Sequence, residues 1–212
     1  MDKHTDCEDA CQLKEAKGYH SCQQTGLCAW LEGTNGYRSM RFAYADPPYL
    51  GCGKLYAMHH PDAMDWNEPE THRRLVERLC AEYPDGWAMS LSTPSLRVLL
   101  PMCPLDCRIG SWVKPFAVFN PNVPVAYAWE PVIFRGGRRR GRDEPTVRDW
   151  HSENIAMKKG LPGAKPPKFA MWIADLLGVD WTQDTIEDLF PGTHGMSLIW
   201  KERIPMLEEA PV

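Results

Sequence analysis

The sequence has no apolar run of membrane length and no surplus of positive charge. The first absence excludes a helical membrane span. The second argues against indiscriminate binding to polyanions, because 24 Lys and Arg stand against 28 Asp and Glu for a formal net charge of −4. A local basic patch able to grip phosphates is still compatible with that balance. The opening residues, MDKHTDCEDACQLKEAKG, lack the apolar centre of a signal peptide. A cytoplasmic, intracellular protein with reduced thiols is therefore expected, and its eight cysteines need not form disulfides. No internal repeat is present. What the chain does have is 19 prolines and 16 glycines, hence many defined turns. Its 212 residues, 43% hydrophobic and 25% charged, suit one globular domain with a small appendage.

The appendage is read as residues 1–38, which are polar, hold four of the eight cysteines and end in the turn-forming EGTNGYRS. A domain over 39–212 follows. Arg41–Ala45 reads as a strand, and PETHRRLVERLCAEY (69–83) as an amphipathic helix presenting Leu75, Val76 and Leu79 on one face. GWAMSLST (86–93) alternates as a strand does, and Thr93-Pro94 then opens a helix to about Leu100. SWVKPFAVF (111–119) and VAYAWEPVIFRGG (125–137) are aromatic and β-branched, hence strands. PPKFAMWIADLLG (166–178) is a helix stopped by Gly178, and Ile186–Phe190 is a strand leading through a glycine turn into a last helix. Strands alternating with helices predict an α/β fold with a mainly parallel sheet and flanking helices.

Two turns stand out. Asp46-Pro47-Pro48-Tyr49 directly follows the first strand. Proline cannot continue a central hydrogen-bond ladder, so the strand must stop there, and two prolines hold the next backbone extended and stiff. An acid and an aromatic ring are thereby displayed at fixed separation. The second turn, Phe190-Pro191-Gly192-Thr193-His194-Gly195, is a glycine-bearing strand-to-helix turn that lets backbone approach a ligand closely. Ligands of open parallel sheets bind beyond the carboxyl ends of neighbouring strands. If the two strands are adjacent, the two turns face one cleft.

DPPY at 46–49 followed by DLFPGTHG at 188–195 resembles the amino-methyltransferases that use S-adenosylmethionine to methylate DNA bases. YAWEPVIFRGGR and GAKPPKFAMWIADLLG agree with that family, as does the order of the motifs, catalytic turn first and cofactor turn last, as in the circularly permuted beta subclass. The chain is similar to the short methylases of bacteriophage genomes, over roughly residues 41–200. The resemblance implies a Rossmann-like methyltransferase fold and transfer of a methyl group to an exocyclic amine, adenine N6 being favoured by Asp in the first motif position. In that reading the Asp46 carboxylate and the Pro47 carbonyl accept the two amine N–H groups, Pro48 fixes the carbonyl's direction, and Tyr49 stacks on the extruded base. Lys165, Pro166, Asp188, Phe190, Gly192, Thr193 and Gly195 would hold S-adenosylmethionine. No metal is required.

The sequence departs from the family in two places. His194 occupies a position that is usually glycine, with the glycine displaced to Gly195. The chain also ends at Val212, so that the strand that usually supplies an acid to the ribose is expected to be short or absent, with Glu202 as a substitute.

Arg135, Arg138, Arg139, Arg140 and Arg142 place five guanidiniums in eight residues and, beside such a site, are expected to contact DNA phosphates, with Arg148 joining them. Cys7, Cys11, Cys22 and Cys28, with His4 and His20 nearby, could hold zinc, but their spacings miss the common two-residue gap. Idle thiols are the preferred reading there, and for Cys52, Cys80, Cys103 and Cys107 core or loop positions. Trp30, Trp66, Trp87 and Trp112 are read as core or turn anchors, and Trp129-Glu130-Pro131 as carrying no chemistry. Two rivals stay open: an RNA adenine methylase, and a non-catalytic relative that binds DNA or a host protein through the same fold.

Overall fold

The computed structural model describes residues 38–58, 61–116, 123–155, 164–192 and 194–203. The proposed appendage and its four cysteines therefore lie outside the described residues, and so does Thr193.

Among the described residues, six strands make one sheet: β1 (Arg41–Ala45), β2 (Gly86–Ser90), β3 (Arg108–Val113), β4 (Trp129–Gly136), β5 (Trp150–Ser152) and β6 (Thr185–Asp188), in the order β5-β3-β4-β2-β1-β6. β2 is buried at all five positions, as a central strand covered on both faces must be. β1 runs parallel to both its neighbours, β2 and β6, and β3 runs parallel to β5, while β4 is antiparallel to β2 and β3. The sheet is thus mixed, with three of its five pairings parallel. The two ends of the chain are joined as expected: Arg41–Tyr44 pair in register with Thr185–Asp188.

Alternation along β1 sends Phe42 and Tyr44 to one face and Ala43 and Ala45 to the other. On the first face they pack with Trp112 and Phe134 beneath helices α3 (Pro167–Leu177) and α4 (Gly195–Lys201), which contribute Phe169, Ile173, Leu177, Met196 and Trp200. On the second, Ala43, Ala45, Trp87, Met89 and Ile133 meet α1 (Pro69–Glu82) and α2 (Thr93–Leu99) through Leu75, Val76, Leu79 and Leu99. Trp87 and Trp112 are core residues, as expected. Trp66 lies in a 3-10 turn (Pro61–Asn67) and sets its ring edge-on to Phe190 at 5.1 Å, anchoring the glycine turn.

Element boundaries differ from expectation for local reasons. β3 stops at Val113 rather than running to 119, since Pro115 two residues on has no N–H for the ladder. β6 ends at Asp188, whose own carboxylate accepts the Phe190 N–H at 3.2 Å in place of a strand partner. β5 was not foreseen, three residues being too few to show a period. The glycines after Phe134 serve close approach: a Cβ on Gly136, where φ is +71°, would lie 2.6 Å from the Asp85 carbonyl oxygen.

Candidate active site

Asp46 and Phe190 each stand two residues beyond the paired Tyr44 and Asp188, at the carboxyl ends of adjacent parallel strands. Neighbouring strands lie about 4.8 Å apart, so the two special turns border one cleft. That cleft is where an open α/β sheet binds ligands.

The Asp-Pro-Pro-Tyr segment leads into a turn over Tyr49–Cys52, closed by a bond from the Cys52 N–H to the Tyr49 carbonyl at 2.7 Å. Its side chains enter a compact polar network. The Lys165 ammonium, only 5% exposed, lies 3.0 Å from Asp46 Oδ2. It also donates to the Tyr49 hydroxyl at 2.9 Å and to Glu130 Oε2 at 3.4 Å. The Tyr49 hydroxyl donates to Glu130 Oε2 at 2.8 Å and lies 3.2 Å from Asp46 Oδ1. Lys114 completes the set, 2.8 Å from Glu130 Oε1. Two ammonium groups therefore face two carboxylates and one phenol, and Asp46 and Glu130 are both partly exposed, at 22% and 19%.

The two acids respond differently. Burial pushes the Asp46 carboxyl up, and the single nearby ammonium of Lys165 only partly reverses that. Burial would raise Glu130 too, but Lys165 and Lys114 together outweigh it and hold this carboxyl down at about 2. Burial opposes the charge on Lys165, yet Asp46 and Glu130 more than compensate and leave it firmly protonated. Tyr49 is pushed far above the usual phenol range by burial and by the adjacent acids, so its hydroxyl keeps its proton.

Across the cleft, Asp188 braces the glycine turn from below. One carboxylate oxygen takes the Phe190 N–H and the other accepts from the Ser197 hydroxyl at 3.2 Å, tying the turn to α4. His194 adopts φ +61°, the left-handed conformation that a glycine would take without penalty, and becomes the N-cap of α4. An added Cβ would meet nothing within 4 Å at Gly195, and at Gly192 only the Phe190 carbonyl oxygen at 3.9 Å. Open space thus lies against the backbone at both glycines. A flat or extended ligand such as S-adenosylmethionine fits a turn of that kind. Pro166 is the N-cap of α3 and is buried. Phe190 is turned toward Trp66, which makes it a packing residue of the turn.

Other sequence-derived candidates lie elsewhere. Gly136 pairs with Gly86 at the start of β2, so the arginine run after β4 sits at the opposite end of the sheet from Asp46. A five-residue strand, about 16 Å, separates them. Arg135 grips Asp106 at 2.8 Å and 3.0 Å, Arg138 binds the buried Asp184, and Arg140 caps the Asp175 carbonyl at 2.6 Å near the end of α3. The run therefore does not border the cleft. Arg135, Arg138 and Arg140 fasten the loop to the domain, and Arg139, Arg140 and Arg142 are exposed. Arg148 stacks over Trp150 at 5.5 Å on the β5 edge. Glu202 is the C-cap of α4, about 10 Å of helix away from the glycine turn, which removes it as a partner for a ribose there.

Glu130 and Lys114 are the residues that sequence reasoning missed. The available signal was an acid opening an otherwise apolar strand, opposite a Lys-Pro that stops the neighbouring one.

No protein-family model and no curated protein matches the sequence. Solved structures do. M1.HpyAVI in complex with SAM is similar at 12% identity, with a TM-score of 0.51 over 88% of this chain and 87% of that one. M1.HpyAVI in a second structure gives 12% identity and a TM-score of 0.43 over 88% and 86%. TTHA0409 from Thermus thermophilus, designated a DNA modification methylase, gives 16% and 0.44 over 76% and 75%. The likeness to the first establishes the class of fold, a Rossmann-like α/β fold shared with a protein crystallised with SAM.

Proposed function

We propose that the protein transfers the methyl group of S-adenosylmethionine to an exocyclic amine of a DNA base, adenine N6 in particular. The observation that carries this reading is the parallel pairing of β1 with β6, which sets Asp46-Pro47-Pro48-Tyr49 beside the open glycine turn. The cofactor would lie along the turn from Phe190 to Gly195, with Gly192 and Gly195 permitting close approach, and would supply an electrophilic methyl group.

An aromatic amine is a poor nucleophile because its lone pair is delocalised into the ring. Asp46 and the Pro47 carbonyl, each accepting one N–H, favour a pyramidal nitrogen whose lone pair is free to attack. As the nitrogen takes the methyl carbon, the sulfonium carbon–sulfur bond would break with its electron pair going to a neutral thioether, and the nitrogen's proton would pass to Asp46 Oδ1, to which it would already be hydrogen-bonded. Polar groups fixed in advance of the reaction are typically worth about 10²–10³ in rate each. The bond that Asp46 Oδ2 accepts from Lys165 supplies that fixity. The Tyr49 ring, pinned at its hydroxyl, offers a face to an extruded base.

The test is calorimetric titration with S-adenosylmethionine, followed by methylation of DNA and, separately, RNA of mixed sequence, read by nucleoside mass spectrometry. N6-methyladenine in DNA is the expected product. N4-methylcytosine would correct the base, and product in RNA alone would correct the polymer. Cofactor that neither binds nor reacts would leave the non-catalytic binding protein in its place.

A further inference from the structure

Lys165 opens a helix that the family resemblance assigns to the cofactor, yet its ammonium has three N–H donors and three acceptors within reach. Asp46 Oδ2 at 3.0 Å, the Tyr49 hydroxyl at 2.9 Å and Glu130 Oε2 at 3.4 Å account for all of them. At 5% exposure no fourth partner can approach from solvent without displacing one of these. The ammonium also lies over two rings, 5.4 Å from the centre of Tyr49 and 5.5 Å from that of Trp112, which close it in from the sides.

We propose that Lys165 belongs to the base clamp rather than to the cofactor site, and that Lys165 and Glu130 act as positioning residues that fix Asp46 and Tyr49. This rests on the methyl-transfer reading of the same cleft. Lys165 orients the Asp46 carboxylate through Oδ2 and leaves Oδ1, shared only with the Tyr49 hydroxyl, on the side from which a target amine can bond. Both oxygens of Glu130 are engaged inside the network. It holds Lys165 and the Tyr49 hydroxyl on one oxygen while Lys114 neutralises the other. The residues come from three separate parts of the fold, the end of β1, the start of β4 and the approach to α3, so the lock forms only when the sheet closes.

Charge follows from the same geometry. The groups facing Asp46 are Lys165 from the approach to α3, Glu130 from β4, Tyr49 from its own turn, Tyr44 from β1, Asp188 from β6 and Tyr56 from the segment after the clamp. Among the described residues Lys165 is the one cation in this set, and the carboxylates beside it are negative. Without it, burial and the neighbouring acids drive Asp46 further toward its protonated form, and a proton on Oδ1 would block the one oxygen left for the amine N–H.

The test uses Lys165→Met, Lys165→Arg and Glu130→Gln in the full chain, with three readouts. Carbon-13 NMR of the Asp46 carboxyl, titrated without cofactor, should show its midpoint displaced upward in Lys165→Met and restored in Lys165→Arg. Calorimetry should give S-adenosylmethionine affinity within about threefold of wild type for all three variants. Turnover at pH 7 should fall by about 10²-fold in Lys165→Met, with its acid limb displaced toward higher pH and a smaller fall in Glu130→Gln. Loss of cofactor affinity by tenfold or more in Lys165→Met would overturn the assignment and return the lysine to the cofactor. An unmoved Asp46 titration would likewise overturn it. Because the NMR titration needs neither cofactor nor nucleic acid, it decides the lock even if the wild-type protein transfers no methyl group, which would refute the methyl-transfer reading instead.

Discussion

Replacing Arg138 with Ala should unfold the domain more readily and leave nucleic-acid binding at the cleft untouched. The Asp184 side chain is fully buried and receives bonds from the Met40 N–H at 2.9 Å, the Asp180 N–H at 2.9 Å and the Arg138 guanidinium, which it binds through both oxygens. Through it the arginine joins the segment before β1, the turn before β6 and the loop after β4 in one knot. Removing one member of a buried ion pair typically costs about 3–5 kcal/mol, because the remaining charge is left without compensation. Two backbone N–H groups stay on Asp184 and the guanidinium is 17% exposed, so water can enter, and about 3 kcal/mol is the appropriate figure. For a domain of this size that corresponds to a Tm lower by roughly 6–12 °C, measurable by differential scanning calorimetry. Arg138→Lys, which keeps the charge but loses the two-pronged geometry, should fall between the two. Arg142→Ala, at an exposed position, should change Tm by no more than about 2 °C. A Tm unaltered in Arg138→Ala would refute the knot. If DNA affinity then fell and its log–log salt slope flattened by about 0.9, the arginine would be a phosphate contact after all.

Asp46→Asn preserves the shape of the clamp and removes its charge. Turnover should drop by about 10²-fold or more, while calorimetric affinity for S-adenosylmethionine changes little, and full activity in this variant would place the clamp elsewhere. Because the Asp46 carboxyl is raised in the folded state, the proton is bound more tightly there than in the unfolded chain. Its contribution to stability is therefore present at low pH and lost as pH rises through the folded value, so function and stability pull in opposite directions at this residue. Glu130, held at about 2 from an ordinary 4.5, behaves in the opposite sense. Its contribution is present above about 4.5 and disappears between 4.5 and 2, so urea midpoints of wild type and Glu130→Gln should differ most at neutral pH and converge on acidification. His194→Gly removes a left-handed strain of about 1 kcal/mol and adds comparable unfolded-state entropy. Stability should therefore barely move while cofactor affinity rises, and a Tm shift beyond about 5 °C in either direction would contradict this.

The parts of the fold that were legible in the sequence are those where one residue type has few alternatives. Pro47 and Pro48 could only end a strand, Gly178 could only stop a helix, and β1 was foreseen to the residue. Adjacency of β1 and β6 was inferred from the need to bring two turns together, and the register bears it out. Long-range pairing was harder. The direction of β4 depends on which edge of β2 is free, and nothing local encodes that. The same blindness misplaced the arginines. A run of guanidiniums reads as a phosphate grip whenever it follows a site in the sequence, but β4 is antiparallel to β2, which carries its end to the far side of the sheet and its beginning, Glu130, to the cleft. One strand direction thus accounts both for the arginines lying away from the cleft and for Glu130 lying in it. The acid stands at the cleft because of where its strand begins, and the arginines stand away from it because of where that strand ends.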